Sequence, residues 1–329
     1  MTSIHKHAGG RPRGRTMSPA GPLTMPESIM RACPALAAAI LVLLAAGGAP
    51  AAPAPDLPAA LYADPPADAA HPARMAVLHI PSGGVAINGV AYLASGPGLH
   101  PTVVLCHGLP GNEKNLDLAQ AIRRAGWNVV TFNYRGSWGS PGVFRFGQNL
   151  EDADAVLAYV EDPAHAAALG VDTGRVVIAG HSMGGWVAIT TAAHHPELEG
   201  LVTFSAADMA RLGGAPESAR VHRMADNMEA LAGVTAESMA AEVAADATPH
   251  PFSKAAPGLK TTPYLALTSN DGLAGDTDAL VTEIRAEGGD AVSTAHVATD
   301  HGWSDHRIAL EALVIRWLDA LKEGGAPRA

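Results

Sequence analysis

The chain has 329 residues, a formal charge of -10 at pH 7 and an isoelectric point near 5.8, and only its first few dozen positions are locally basic. That balance argues against a nucleic-acid partner, which needs a cationic face to neutralise phosphates. Two cysteines, Cys33 and Cys106, make no disulfide framework, and aromatic residues at 5% leave the core to aliphatic side chains.

Residues before Met30 are rich in Arg, Gly, Pro and Ser without apolar periodicity, so no structure is expected of them. From Arg31 a basic residue leads into an apolar run, Ala35 to Ala46, and then into Gly47-Gly-Ala-Pro-Ala-Ala, whose small residues suit signal-peptidase cleavage. The run is shorter than the roughly 18 apolar residues of a membrane span. Residues 1–52 therefore read as a basic segment plus a secretory signal peptide, and the mature protein as periplasmic or secreted with no stable membrane span. Residues 53–73, packed with Pro and Ala, read as a linker, and the folded domain as 74–323.

Met75-Ala-Val-Leu-His-Ile and Val85 to Leu93, separated by Pro81-Ser-Gly-Gly, predict an antiparallel opening pair of strands. Apolar strands are then expected at Thr102 to Cys106, Val129 to Asn133, Val176 to Ala179, Leu201 to Phe204, Tyr264 to Thr268 and Ser293 to Val297. Helical patterns lie between them at Lys114 to Ala125, Leu150 to Val160, Gly185 to His194 and Thr277 to Glu287, with a last helix from Ser304 to Leu321. Near-continuous apolar strands alternating with amphipathic helices predict a mainly parallel sheet covered on both faces, with its chemistry at the C-terminal strand ends. From Ala206 to Pro257 no strand is legible, only helical material containing Met209, Met224, Met228 and Met239, which reads as a helical cap inserted over those ends. Its methionines either offer adaptable apolar surface to a ligand or fill gaps in the core.

The most informative stretch is Arg175 to Thr190, where a short apolar strand ends in Gly180-His-Ser-Met-Gly184 and an Ala-rich helical pattern follows. A turn this sharp needs glycines two positions before and after its centre, and it projects Ser182 at a helix N-terminus, where developing negative charge is favoured. Ser182 is the candidate nucleophile, and it requires a histidine base and an acid to orient that base. His301, in Asp300-His-Gly-Trp-Ser-Asp-His, follows the last predicted strand and is preferred to His306, which falls in the final helix. Asp271, just past the Tyr264 strand, is the candidate acid. Asp276 and Asp278 suit the opening of the next helix, and Asp208 is the other sensible position.

Two oxyanion donors are expected: the backbone N–H of Met183, and that of Leu109 in the loop His107-Gly-Leu-Pro-Gly-Asn. His107 is expected to bond nearby backbone, and the loop Tyr134-Arg-Gly-Ser-Trp-Gly to shape the pocket through Trp138 or simply to turn the chain. Cys106 reads as a small core residue.

The order Ser182, Asp271, His301, the Gly-His-Ser-Met-Gly turn and the His107-Gly108 loop resemble an α/β-hydrolase over about Met75 to Leu321, in particular bacterial esterases of the dienelactone-hydrolase and prolyl-oligopeptidase-like branches. The resemblance implies an eight-stranded sheet with its first strands antiparallel, and hydrolysis through an acyl-enzyme. The single glycine of His107-Gly108-Leu109 departs from the His-Gly-Gly-Gly loop of many lipases, so their substrate range does not transfer. A small or medium carboxylic ester is the expected substrate, with a short peptide as the alternative and non-catalytic ligand binding as a third reading. No cofactor or metal is expected, since His-Glu-x-x-His, a phosphate-cradling loop and a dinucleotide fingerprint are all absent from the sequence.

Overall fold

A computed structural model of the chain describes residues 57–324; the expected signal peptide lies outside the described residues. The chain enters through a single 3-10 turn, Ala59–Leu61, whose Ala60 carbonyl accepts a hydrogen bond from Arg124 Nε at 2.5 Å.

β1 (Arg74–Ser82) and β2 (Val85–Leu93) form an antiparallel hairpin, turning at Gly83 and Gly84. Three more strands, β3 (His100–Cys106), β4 (Asn128–Phe132) and β5 (Val171–His181), are followed by β6 (Gly200–Phe204), β7 (Tyr264–Ser269) and β8 (Val292–Val297). They make one eight-stranded sheet in the order β1-β2-β4-β3-β5-β6-β7-β8. β1 and β2 run antiparallel to their neighbours, and every pair from β4 to β8 is parallel. Parallel neighbours need crossovers, and helices supply them on both faces.

The period of two along each central strand divides the core. On β3, Val104 and Cys106 face one apolar layer while Val103 and Leu105 face the other. The first layer takes α2 (Phe146–Glu161), α4 (Met183–Ala192), α8 (Phe252–Leu259) and α9 (Ala274–Ala286); the second takes α1 (Leu116–Arg124) and α10 (Arg307–Lys322). A short helix, α3 (Pro163–Leu169), was not anticipated, although its boundary signals are all in the sequence: Asp162 caps Ala164 and His165 N–H groups, Pro163 opens it, and Gly170 closes it in the left-handed region.

Between β6 and β7 the expected helical insertion is present as α5 (Met209–Gly213), α6 (Glu217–Ala225), α7 (Ala236–Glu242) and a π-helical turn at Val243–Ala247. α8 packs against α4 and α9 over the sheet, which leaves residues 206–251 to the cap. The cap is bound to the framework at defined points. Trp186 Nε1 on α4 donates to His250 O at 2.8 Å, the Phe146 N–H at the start of α2 donates to Glu242 Oε1 at 2.7 Å, and Trp138 N–H donates to Ala230 O at 2.9 Å. Met224 and Met239 are fully buried in the core, so they fill gaps there rather than face a ligand.

Behind the opening hairpin, Asp152 is completely buried and accepts from Arg135 Nε at 2.6 Å, Arg135 N–H at 2.8 Å and Ser82 Oγ at 2.5 Å. This one carboxylate ties β1, the loop after β4 and α2 together. Cys106 is a free, buried thiol that burial pushes up to about 12. Among the described residues no helix is long and apolar enough to cross a membrane.

Candidate active site

β5 runs into Ser182 and α4 leaves it, with Ser182 at φ 58° and ψ -124°. Backbone so strained persists only where packing dictates it, and here two close approaches do so. A Cβ on Gly180 would lie 2.0 Å from Gly184 O, and one on Gly184 would lie 2.2 Å from Cys106 O. Strand, turn and helix are therefore compressed to a separation that only glycine permits.

His301 lies in the loop after β8 and reaches back over the turn. Its Nε2 is 2.9 Å from Ser182 Oγ and its Nδ1 is 2.8 Å from Asp271 Oδ2. An ionised carboxylate can only accept, so Nδ1 carries the proton and Nε2 is left to accept from the serine hydroxyl. Asp271 follows β7 directly, and its side chain is 3% exposed. Burial pushes this carboxyl up, but hydrogen bonds from His301, the Leu273 N–H and Ser205 outweigh it and hold the group at about 2.

The histidine loop is held by its own chain. Trp303, fully buried at φ 58°, donates from Nε1 to Ser205 Oγ at 3.0 Å, and Ser205 in turn supports Asp271. His181 Nε2 donates to the His301 carbonyl at 2.8 Å, which leaves His181 Nδ1 buried and unpartnered. Burial, then the neighbouring His301, pushes His181 down to about 4, so the ring is neutral. Neither Ser205 nor Trp303 was singled out from the sequence, because each acts through a bond that only the fold creates.

The alternative site residues make other bonds. Asp208 caps α5 through Ala210 N–H, Asp276 pairs with Arg211 Nη1 at 2.8 Å, Asp278 is exposed on α9, and His306 precedes α10 beside Asp305. Met183 is the first residue of α4, so its N–H has no carbonyl one turn earlier to bind. The His107–Leu109 loop packs against the turn: a Cβ on Gly108 would lie 3.0 Å from Ser182 Cβ and 3.3 Å from His181 O. His107 bonds backbone as expected, Nδ1–H donating to Gly108 O at 2.7 Å, and burial pushes it down to about 4. Trp138 donates from Nε1 to Pro110 O at 2.7 Å, beneath the ammonium of Lys114, and so buttresses this loop from behind.

Ser182, Asp271 and His301 open into a cavity of about 540 Å³ beneath α5 and α6. Met209, Leu212, Ala215 and Leu273 give it apolar walls, and Asp208, Arg211, Arg223 and Asp276 give it charge. Nothing in the sequence singled out Arg211 or Arg223, since arginine on an exposed helix face carries no signal of its own. Among the described residues no group of His, Cys, Asp and Glu is gathered closely enough to hold a metal ion.

Residues 99–249 match the family described as serine aminopeptidase, S33. Two uncharacterized proteins of Mycobacterium tuberculosis are each 29% identical over 114 residues, a match that spans 34% of this chain and 39% of the length of either relative. Among solved structures, an esterase of Pyrobaculum calidifontis is 21% identical with a TM-score of 0.55, covering 78% of this chain and 87% of its own. A thermostable carboxyl esterase of Bacillus coagulans gives 15% and 0.59, covering 75% of this chain and 99% of its own. An acylaminoacyl peptidase of Pyrococcus horikoshii gives 16% and 0.57, covering 75% of this chain and 41% of its own.

Proposed function

We propose that this chain, which has the α/β-hydrolase fold, is a serine hydrolase acting on carboxylic esters of small to medium size through an acyl-enzyme. The observation that carries the reading is the unbroken run of bonds from Asp271 through His301 to Ser182 at the floor of the cavity. His301 Nε2 takes the Ser182 proton as Oγ attacks the ester carbonyl. The N–H groups of Met183 and Leu109 receive the oxyanion, and Asp271 stabilises the imidazolium. Collapse of the tetrahedral intermediate expels the alcohol, which takes the proton from His301. Water then enters, gives its proton to His301 and attacks the acyl group; the acid departs and Ser182 recovers its proton. A cavity of about 540 Å³ falls within the range that small ligands occupy.

Peptide hydrolysis is the second reading, favoured by the S33 match. It is disfavoured by the state of the cavity's acids, because an amino terminus needs an uncommitted carboxylate. Asp208 accepts from Ala210 and Phe252 N–H groups, and Asp276 is paired with Arg211. Export of the mature protein is part of the same proposal and rests on the apolar run before Gly47.

The test is hydrolysis of p-nitrophenyl esters from acetate to palmitate by the wild type and by Ser182→Ala, with fluorophosphonate labelling alongside. Turnover and labelling that both vanish in the variant are expected. Labelling without turnover of any ester would move the assignment to peptides, and neither labelling nor turnover would end the hydrolase reading.

A further inference from the structure

The cavity beside Ser182 contains four charged side chains besides Asp271 and His301, and three of them are already engaged. Asp208 spends Oδ1 on the Ala210 N–H at 3.0 Å and Oδ2 on the Phe252 N–H at 3.3 Å. Arg211 Nη1 donates to Asp276 Oδ1 at 2.8 Å, so that pair is neutral as a unit. Arg223, near the C-terminal end of α6, has no side-chain partner among the described residues. Its guanidinium keeps all five N–H donors, arranged as a planar fork that matches the two oxygens of a carboxylate.

We propose that Arg223 determines specificity by receiving a carboxylate carried on the ester substrate, so that the preferred substrates are monoanionic esters such as half-esters of short dicarboxylic acids. The proposal rests on the serine-hydrolase reading above. A substrate laid along Met209, Leu212 and Leu273, with its carbonyl at Ser182, has its apolar length covered, and among the described residues Arg223 is the one of these four charged groups with no bonding partner for its side chain. A cationic substrate meets the opposite situation, since both acids there are committed. Arg223 is exposed at the rim, so water and salt screen the pair, and the expected preference is about two- to fivefold, as for exposed ion pairs, rather than a thousandfold.

The test compares kcat/KM for p-nitrophenyl hydrogen adipate, with the carboxylate on the acyl side, and for 4-carboxyphenyl hexanoate, with it on the alcohol side, each relative to p-nitrophenyl hexanoate. Wild type, Arg223→Gln, Arg223→Lys and Arg223→Glu are measured at low and high salt. One of the two anionic-to-neutral ratios is expected to exceed the ratio in Arg223→Gln by about two- to fivefold, mainly through KM, because the pairing is made equally in ground and transition states. Lys should retain part of the preference, Glu should reverse it, and 1 M salt should erase it. Hydrolysis of the neutral hexanoate with both ratios unmoved by Arg223→Gln would overturn this proposal and leave the hydrolase reading standing. A preference of the wild type for p-nitrophenyl 6-aminohexanoate would overturn it as well. Absence of both turnover and fluorophosphonate labelling in the wild type would remove the hydrolase reading and this proposal with it.

Discussion

The imidazole of His181 donates its Nε2–H to the backbone carbonyl of His301 at 2.8 Å, so the residue immediately before the candidate nucleophile grips the loop that carries the candidate base. The ring is stacked on Phe204 with centroids 5.2 Å apart and planes 17° from parallel, which fixes where that donor points. His181→Gln should therefore lower kcat by about ten- to a hundredfold while moving KM much less, because a small misplacement of a reacting group acts on the chemical step. The measurement is steady-state kinetics normalised to sites titrated with fluorophosphonate, so that loss of folded protein is not counted. Equal kcat per titrated site would show the bond to be dispensable.

Asp271→Asn should cut kcat/KM by about a thousandfold or more, because an amide cannot hold His301 in the tautomer that accepts the serine proton. Asp208→Asn provides the contrast, keeping most of kcat. What it weakens is the hold on the Phe252 N–H, because asparagine caps α5 as aspartate does but keeps a single acceptor oxygen, and a thermal midpoint lower by an amount worth about 1 kcal/mol is expected. If the two variants exchanged these phenotypes, the acid would have been misassigned.

Gly184→Ala should fail to give a native fold, because the added methyl would sit 2.2 Å from Cys106 O, a backbone atom in the centre of the sheet. Gly275→Ala, on α9 with nothing within 4 Å, should be neutral or stabilising by up to about 1 kcal/mol. Circular dichroism melts of the two variants distinguish crowding from a general intolerance of alanine.

Acid should weaken the fold from about pH 6.5 downward. His107 and His181 are each pushed down to about 4 from an ordinary 6.5, so the unfolded chain takes up two protons that the folded chain refuses until about pH 4. Glu242 opposes them: burial, stronger than the Phe146 N–H and Arg145 that favour its charge, raises it from 4.5 to about 7, so the folded chain holds one extra proton over 4.5 to 7. For these three groups the balance between pH 4.5 and 6.5 is one proton, a loss of about 1.4 kcal/mol per pH unit on acidification. Asp271, held at about 2 against 3.8, adds a further loss below 3.8. Urea titrations across this range check the slope, and Glu242→Gln should make it about twice as steep; stability that rises on acidification would contradict the assignment of neutral histidines.

The sheet and the site geometry were legible because both are written in short-range patterns. Apolar runs such as Val176 to Ala179 declare buried strands, and Gly180-His-Ser-Met-Gly184 declares a turn that nothing else explains. The strand itself runs from Val171 to His181, longer than its apolar part, because Val171 pairs with His100 and the register then shifts before the ladder resumes at Val176. Asp271 and His301 were expected from their positions shortly after strands, and the fold joins them by a hydrogen bond and brings His301 onto Ser182. The Arg135–Asp152 pair, the Trp303–Ser205 bond and the engagement of Arg211 with Asp276 were not legible, because each joins residues that only the fold brings together. The cap shows the same limit: its helices could be expected, but whether a methionine there meets core or cavity depends on which way the helix is turned.

The insertion over the cavity is fastened through Trp186 to His250 and through Glu242 to Phe146, both on framework helices, whereas the bonds joining Ser182, His301 and Asp271 run beneath it. For an engineer this is a partition between chassis and fitting. Residues 209–225 form a segment whose rebuilding would redraw which molecules are admitted, while the wiring underneath is left as it stands.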